Sequence, residues 1–130
     1  MKFLVGYNGS PSSRRALDLA IEHAKLAKAM LFVATSLPGG SGESAKDIQT
    51  AEEQLRTVKA LLDQSDVAYE AFQLARGLSP GEDIVKFADD NGIEHIYLGI
   101  EKRSRASKII LGSTAQYVIL KGSCPVTTTK

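Results

Sequence analysis
Tryptophan is absent, cysteine occurs once and histidine twice in these 130 residues. The lone thiol, Cys124, rules out an internal disulfide and fits a reducing cytoplasm, where a buried, inert cysteine is the default. His23 and His95 have no cysteine near them in sequence, so no metal-ligand set is expected and both read as surface or packing residues. Long hydrophobic runs are missing too. None approaches the roughly 20 apolar residues of a membrane span, and the opening MKFLVGYNGS turns polar too early for a secretory signal. An excess of one charge is also lacking. Sixteen basic residues against fifteen acidic ones leave +1, which excludes a protein whose whole surface binds nucleic acid. The G-x-S-x-G elbow, the Walker A loop and G-x-G-x-x-G do not occur. What is present, 43% hydrophobic and 24% charged residues, suits a soluble globular chain with one core, so residues 1–130 read as a single domain.

Phe3-Leu4-Val5 is a short apolar run ending in Gly6-Tyr7-Asn8-Gly9, the pattern of a buried strand running into a tight loop. Ser10-Pro11 marks a helix start, a hydroxyl cap followed by proline at the first helical position. Leu17, Ala20, Ile21, Ala24 and Ala27 then recur at helical spacing. Met30 to Thr35 forms a second buried strand, closed by the glycine-rich stretch from Pro38 to Gly42. A second helix is expected from near Ser44, with Ile48, Ala51, Leu55, Val58 and Leu62 as its stripe. Val67 to Leu74 is strand-like, although its alternation slips phase between Tyr69 and Phe72.

Ser79-Pro80-Gly81-Glu82 is a capping box whose helix buries Ile84, Val85, Phe87 and Ala88 and stops at Asn91-Gly92. Ile96-Tyr97-Leu98 is a fourth strand. Ser113-Thr114-Ala115-Gln116 reads as a second capping box, opening a helix that carries Val118, Ile119 and Leu120 to Gly122. Pro125 to Thr129 is β-branched and reads as an edge strand. Strands alternating with helices imply an α/β fold: a doubly wound, five-stranded parallel sheet, Rossmann-like, with helices on both faces.

In such sheets ligands bind beyond the carboxyl ends of the strands, where the strand order reverses. Two loops stand out there: Tyr7 to Ser10, and Gly99 to Ser113. Both face one crevice if the first and fourth strands are neighbours. The second loop holds Lys102, Arg103, Arg105 and Lys108 against Glu101, a local charge of +3 on a chain whose remainder carries −2. Gly112-Ser113 follows at a helix start, where glycine admits a ligand to the backbone and the helix dipole favours an anion. Basic loop, glycine, hydroxyl and helix terminus describe a phosphate cradle. On composition alone, a solvated basic loop ahead of an ordinary capped helix accounts for the same residues.

At this point the sequence resembles the universal stress protein family over nearly its whole length. The resemblance rests on LVGYNGSPSSRRAL, on IYLG and on LGSTAQYVILKGSCPV. The most specific element is the family's nucleotide motif: glycine, two residues, glycine, nine residues, glycine, then serine or threonine. Here Gly99, Gly112 and Ser113 match at the right spacing, and Lys102 stands in place of the second glycine. Members with the full motif bind ATP or related adenine nucleotides, and members that lose it often do not. Lys102 either blocks backbone approach to the phosphates or supplies an ammonium in its place. Asn8 is a second departure, standing where many members have aspartate.

The resemblance implies an adenine-nucleotide-binding fold of the Rossmann-like type and a stress-response sensor or regulator that takes ATP or AMP, with or without magnesium. It puts Tyr7 and Asn8 beside the adenine, Thr35 in its pocket, Gly99 by the ribose, and Lys102, Gly112, Ser113 and Thr114 at the phosphates, flanked by Arg103 and Arg105, with Leu98 as a further nucleotide-binding residue. It also implies a homodimer through Val126, Thr127, Thr128 and Thr129, whose open edge invites pairing. No general base is evident beside these phosphates, so no catalytic residue is assigned and slow ATP hydrolysis or self-phosphorylation is the most that is expected. The alternative is a dimeric interaction module in which Lys102 fills the crevice and no nucleotide binds. Four basic residues without interleaved aromatics make nucleic acid an improbable ligand. A phospho-receiver domain shares the architecture but needs acids where Asn8 and Arg76 stand.

Overall fold
Alternation along the first strand decides how the layers assemble. In β1 (Lys2–Tyr7), Phe3, Val5 and Tyr7 point to one face while Leu4 points to the other, and all four are buried. A strand apolar on both faces needs helices on both. The computed structural model, which describes residues 1–36, 45–74, 78–100 and 111–130, has that arrangement. The chain runs β1, α1 (Pro11–Ala27), β2 (Met30–Ser36), α2 (Ala45–Asp63), β3 (Tyr69–Leu74), α3 (Pro80–Asn91), β4 (His95–Gly99), α4 (Ser113–Lys121) and β5 (Val126–Thr129). The five strands form one parallel sheet in the order β3-β2-β1-β4-β5. β1 and β4 are therefore neighbours, and the strand order reverses between them.

Two apolar layers sandwich the sheet. On one face Phe3, Val5, Leu31, Val33 and Tyr97 meet Leu17, Ala20 and Ala24 of α1 and Val58 and Leu62 of α2. On the other Leu4, Phe32, Ala34, Ile96 and Leu98 meet Ile84, Phe87 and Ala88 of α3 and Val118 of α4. The phase slip in the third strand has a plain cause. Tyr69 and Ala71 pack on the α1–α2 face, Phe72 and Leu74 on the α3–α4 face, so β3 is apolar on both sides and begins at Tyr69 rather than Val67.

The caps at Ser10 and Ser79 form as expected. Ser10 Oγ accepts from Ser13 N–H at 3.1 Å and Ser79 Oγ from Glu82 N–H at 3.4 Å, each ahead of a proline. Glu82 completes its box through the Ser79 hydroxyl, at 2.7 Å, rather than the Ser79 backbone. α3 ends at Gly92 in the left-handed region, φ 65°. The start of the second helix near Ser44 lies outside the described residues. α4 departs from expectation twice. Its cap is Gly112, which offers no side-chain oxygen, so Ser113 is already the first helical residue and the second capping box does not form; Gln116 bonds the Leu111 carbonyl at 2.7 Å instead. Of its apolar residues Val118 is buried, whereas Ile119 is 43% and Leu120 78% exposed, because α4 flanks the outer half of the sheet.

Candidate functional site
The carboxyl ends of β1, β2, β3 and β4 open into a cavity of about 400 Å³, within the range of small-molecule sites. Its apolar wall is Ala34 of β2, Leu74 of β3, Ile84 of α3 and Leu98 of β4. Its polar groups come from the turn after β1 (Asn8), from the first turn of α1 (Ser13), from α2 (Thr50, Gln54) and from the first turn of α4 (Thr114). Among the described residues no charged side chain lines it. An apolar cavity with a neutral polar rim suits an aromatic heterocycle. Negative charge on the ligand is then best placed toward the N-terminus of α4.

The β1–α1 turn is held by its own hydrogen bonds. Asn8 Oδ1 accepts from Ser10 N–H at 3.0 Å, and Asn8 N–H donates to Ser13 Oγ at 3.3 Å while that hydroxyl donates to the Ser10 carbonyl at 2.9 Å. The turn is thereby fixed against the start of α1, where Ser10 Oγ caps Ser13 N–H. The α4 terminus differs, since Gly112 leaves its first N–H groups without a side-chain cap. Three helix N-termini reach the crevice, those of α1, α3 and α4; Ser10 and Ser79 cap the first two, and α4 is the one without a side-chain cap.

Of the expected site residues, the structure brings Tyr7, Asn8, Leu98, Gly99 and Thr114 together around the cavity. Thr35 is not among its walls. It is fully buried, its hydroxyl donating to the Phe72 carbonyl at 3.4 Å, and Ala34 next to it takes the wall position. Alternation explains this: Leu31, Val33 and Thr35 share the α1–α2 face, Phe32 and Ala34 the other. Gly112 and Ser113 stand just outside the cavity wall at the head of α4, and Lys102, Arg103 and Arg105 lie outside the described residues. Thr50, Ala51 and Gln54 were not anticipated. The stripe through Ala51 read as core only, and a polar residue at each flank was the available signal.

The two histidines meet on one tyrosine at the far end of the sheet. His23 Nδ1 lies 2.8 Å from the Tyr97 hydroxyl, His95 Nε2 lies 2.6 Å from Thr127 Oγ1, and the His95 ring stacks on Tyr97 with centroids 4.5 Å apart. Burial, and after it the His23 charge, holds His95 below its ordinary 6.5. The unfolded chain then binds more protons just below 6.5, so stability is full above that pH and falls as pH drops through the folded value. The thermal midpoint should decline as pH falls below the ordinary 6.5 of His95, and His95→Asn should flatten that decline in a series of melts. Cys124 is half-buried, and burial, aided by Asp89, pushes its thiol up, so little reactive thiolate forms at neutral pH.

Comparison with known proteins bears on this geometry. The family model described as Universal stress protein family matches residues 1–130. The chain belongs to the universal stress protein family. A universal stress protein from Mycolicibacterium smegmatis is 31% identical over 127 residues, 98% of this chain and 95% of that one. The structure of a universal stress protein from Archaeoglobus fulgidus superimposes with a TM-score of 0.89 at 37% identity, covering 100% of this chain and 98% of the other. A second structure of that organism's universal stress protein, in complex with dAMP, gives 0.83 at 34% identity with the same coverage. In the present universal stress protein the switch between β1 and β4 is also where the cavity opens.

Proposed function
We propose that this universal stress protein is a cytoplasmic stress-response sensor or regulator that binds an adenine nucleotide, ATP or AMP, in the cavity at the carboxyl ends of β1 and β4. The observation that carries the reading is the pairing of an apolar slot (Ala34, Leu74, Ile84, Leu98) with the uncapped N-terminus of α4 at its edge. The slot suits a purine ring and the helix terminus suits its phosphates. The related protein solved with dAMP supports the same ligand class. Gly112, Ser113 and Thr114 would meet the phosphates, with Lys102, Arg103 and Arg105 supplying positive charge, and magnesium would accompany ATP. No carboxylate or histidine lines the cavity among the described residues, so the reading includes no rapid hydrolysis.

The working form is a homodimer through β5. That strand is an edge of the sheet, with β4 its one partner strand among the described residues, and Leu120 on α4 is largely exposed. No helix among the described residues is long and apolar enough to cross a membrane.

The test is calorimetric titration of ligand-stripped protein with ATP, AMP and GTP in magnesium. Micromolar binding of the adenine nucleotides, with GTP at least tenfold weaker, is expected. Absence of heat and of competition with all three would overturn the reading in favour of the interaction module.

A further inference from the structure
We infer that Gln54 of α2 is the residue that selects for the sugar, accepting a hydrogen bond from a ribose hydroxyl of the bound nucleotide. The inference rests on the nucleotide-binding reading above and refines it.

Gln54 lines the cavity from α2, opposite the turn after β1. Its Nε2 donates to the Asn8 carbonyl at 3.2 Å, which ties two segments 46 residues apart. The turn is shaped to receive it. Gly9 adopts φ +84°, and a Cβ there would lie 2.7 Å from Gln54 Nε2 and 3.3 Å from its Cδ. The carboxamide thus brings its nitrogen end up to the one residue of the turn that has no side chain. With the nitrogen fixed on Asn8, the orientation of the amide is set, and its Oε1 has no hydrogen-bond partner among the described residues.

That free acceptor matters because of what Asn8 does. Its own Oδ1 is engaged by Ser10 N–H at 3.0 Å, and as a neutral amide it is a weaker acceptor than a carboxylate. A ribose hydroxyl entering the mouth is a donor in search of an acceptor. Gln54 offers one beside Asn8, on a side chain tethered by its nitrogen, so less entropy is lost in using it than on an untethered one.

The experiment measures binding of AMP, 2′-deoxy-AMP and 3′-deoxy-AMP to the full chain and to two variants, with thermal melts confirming that each folds. The wild type should prefer AMP over at least one deoxy analogue by roughly three- to tenfold, the worth of one hydrogen bond between neutral groups. Gln54→Met keeps the helix and the bulk but has no strong acceptor, so this preference should fall to about twofold or less. Gln54→Glu keeps an acceptor and gives up the donor to Asn8, so the preference should survive even if overall affinity drops. Equal loss for all three ligands in both variants would make Gln54 a structural brace and overturn the inference. So would an unchanged preference in Gln54→Met. A wild type that binds none of the three removes the parent reading itself, an outcome separate from failure of the Gln54 assignment.

Discussion

Gly99→Ala should unfold well before the wild type, losing about 3 kcal/mol of stability, because overpacking against atoms that cannot yield sits at the top of the usual range. Backbone conformation is not the cause, since Gly99 is not among the positive-φ glycines. The cause is the approach of α1. A Cβ on Gly99 would lie 2.3 Å from Ser13 N, 2.4 Å from Ser12 C and 2.7 Å from Ser12 O. These are main-chain atoms of a capped first turn, pinned further by Thr129 Oγ1 donating to the Ser12 carbonyl at 2.8 Å. Neither side can retreat without breaking the cap or the end of β5. For a chain of this size the loss corresponds to a fall in melting temperature of roughly 10 °C. A melting temperature within about 2 °C of wild type would show that α1 can slide, and that the packing argument is wrong.

Ser113→Glu should do the reverse, sparing the fold and removing the ligand. Ser113 is exposed and opens α4, where an acidic side chain interacts favourably with the helix dipole by about 0.3–1 kcal/mol. Stability should hold or rise slightly. Toward a phosphate the same carboxylate is repulsive, and the serine hydroxyl donor is gone. Together these effects amount to about 3 kcal/mol, a loss in ATP affinity on the order of a hundredfold. Gly112→Ala is the companion variant. Among the described residues no atom lies within 4 Å of a Cβ there, and φ is −63°, so folding should be unaffected while a ligand packed on that backbone would be displaced. Calorimetry and a melt on each variant separate the two effects. Undiminished ATP binding by both would move the phosphates away from α4.

The contrast between these two glycines shows what the sequence could and could not convey. Both occupy motif positions that suggest close approach by a ligand. Packing of α1 already requires Gly99, whereas no packing among the described residues requires Gly112. The architecture was legible because its signals are local: Ser10-Pro11, Ser79-Pro80, Asn91-Gly92 and the apolar strands each act within a few residues. The crevice between β1 and β4 followed from the order of elements. The walls did not follow. Thr35 and Ala34 differ by one step of strand alternation, and the face that each takes depends on which helices cover the strand. Gln54 reaches Asn8 across a tertiary gap that leaves no mark in either segment alone. At α4, Ser-x-x-Gln is a valid capping pattern, but the helix began one residue earlier, on a glycine.

The position of β1 in the middle of the sheet also has a consequence for synthesis. β1 is made first, and β2 pairs with it as soon as residues 30–36 are available, but its other edge is completed only by β4, at residues 95–99. At roughly 5–20 residues per second, several seconds pass in which Phe3, Leu4 and Val5 lie on an open edge of the growing chain. An open apolar edge pairs with whatever strand is near. The hazard for this protein therefore falls during translation, before the cavity exists, and it lengthens whenever the ribosome slows between β2 and β4.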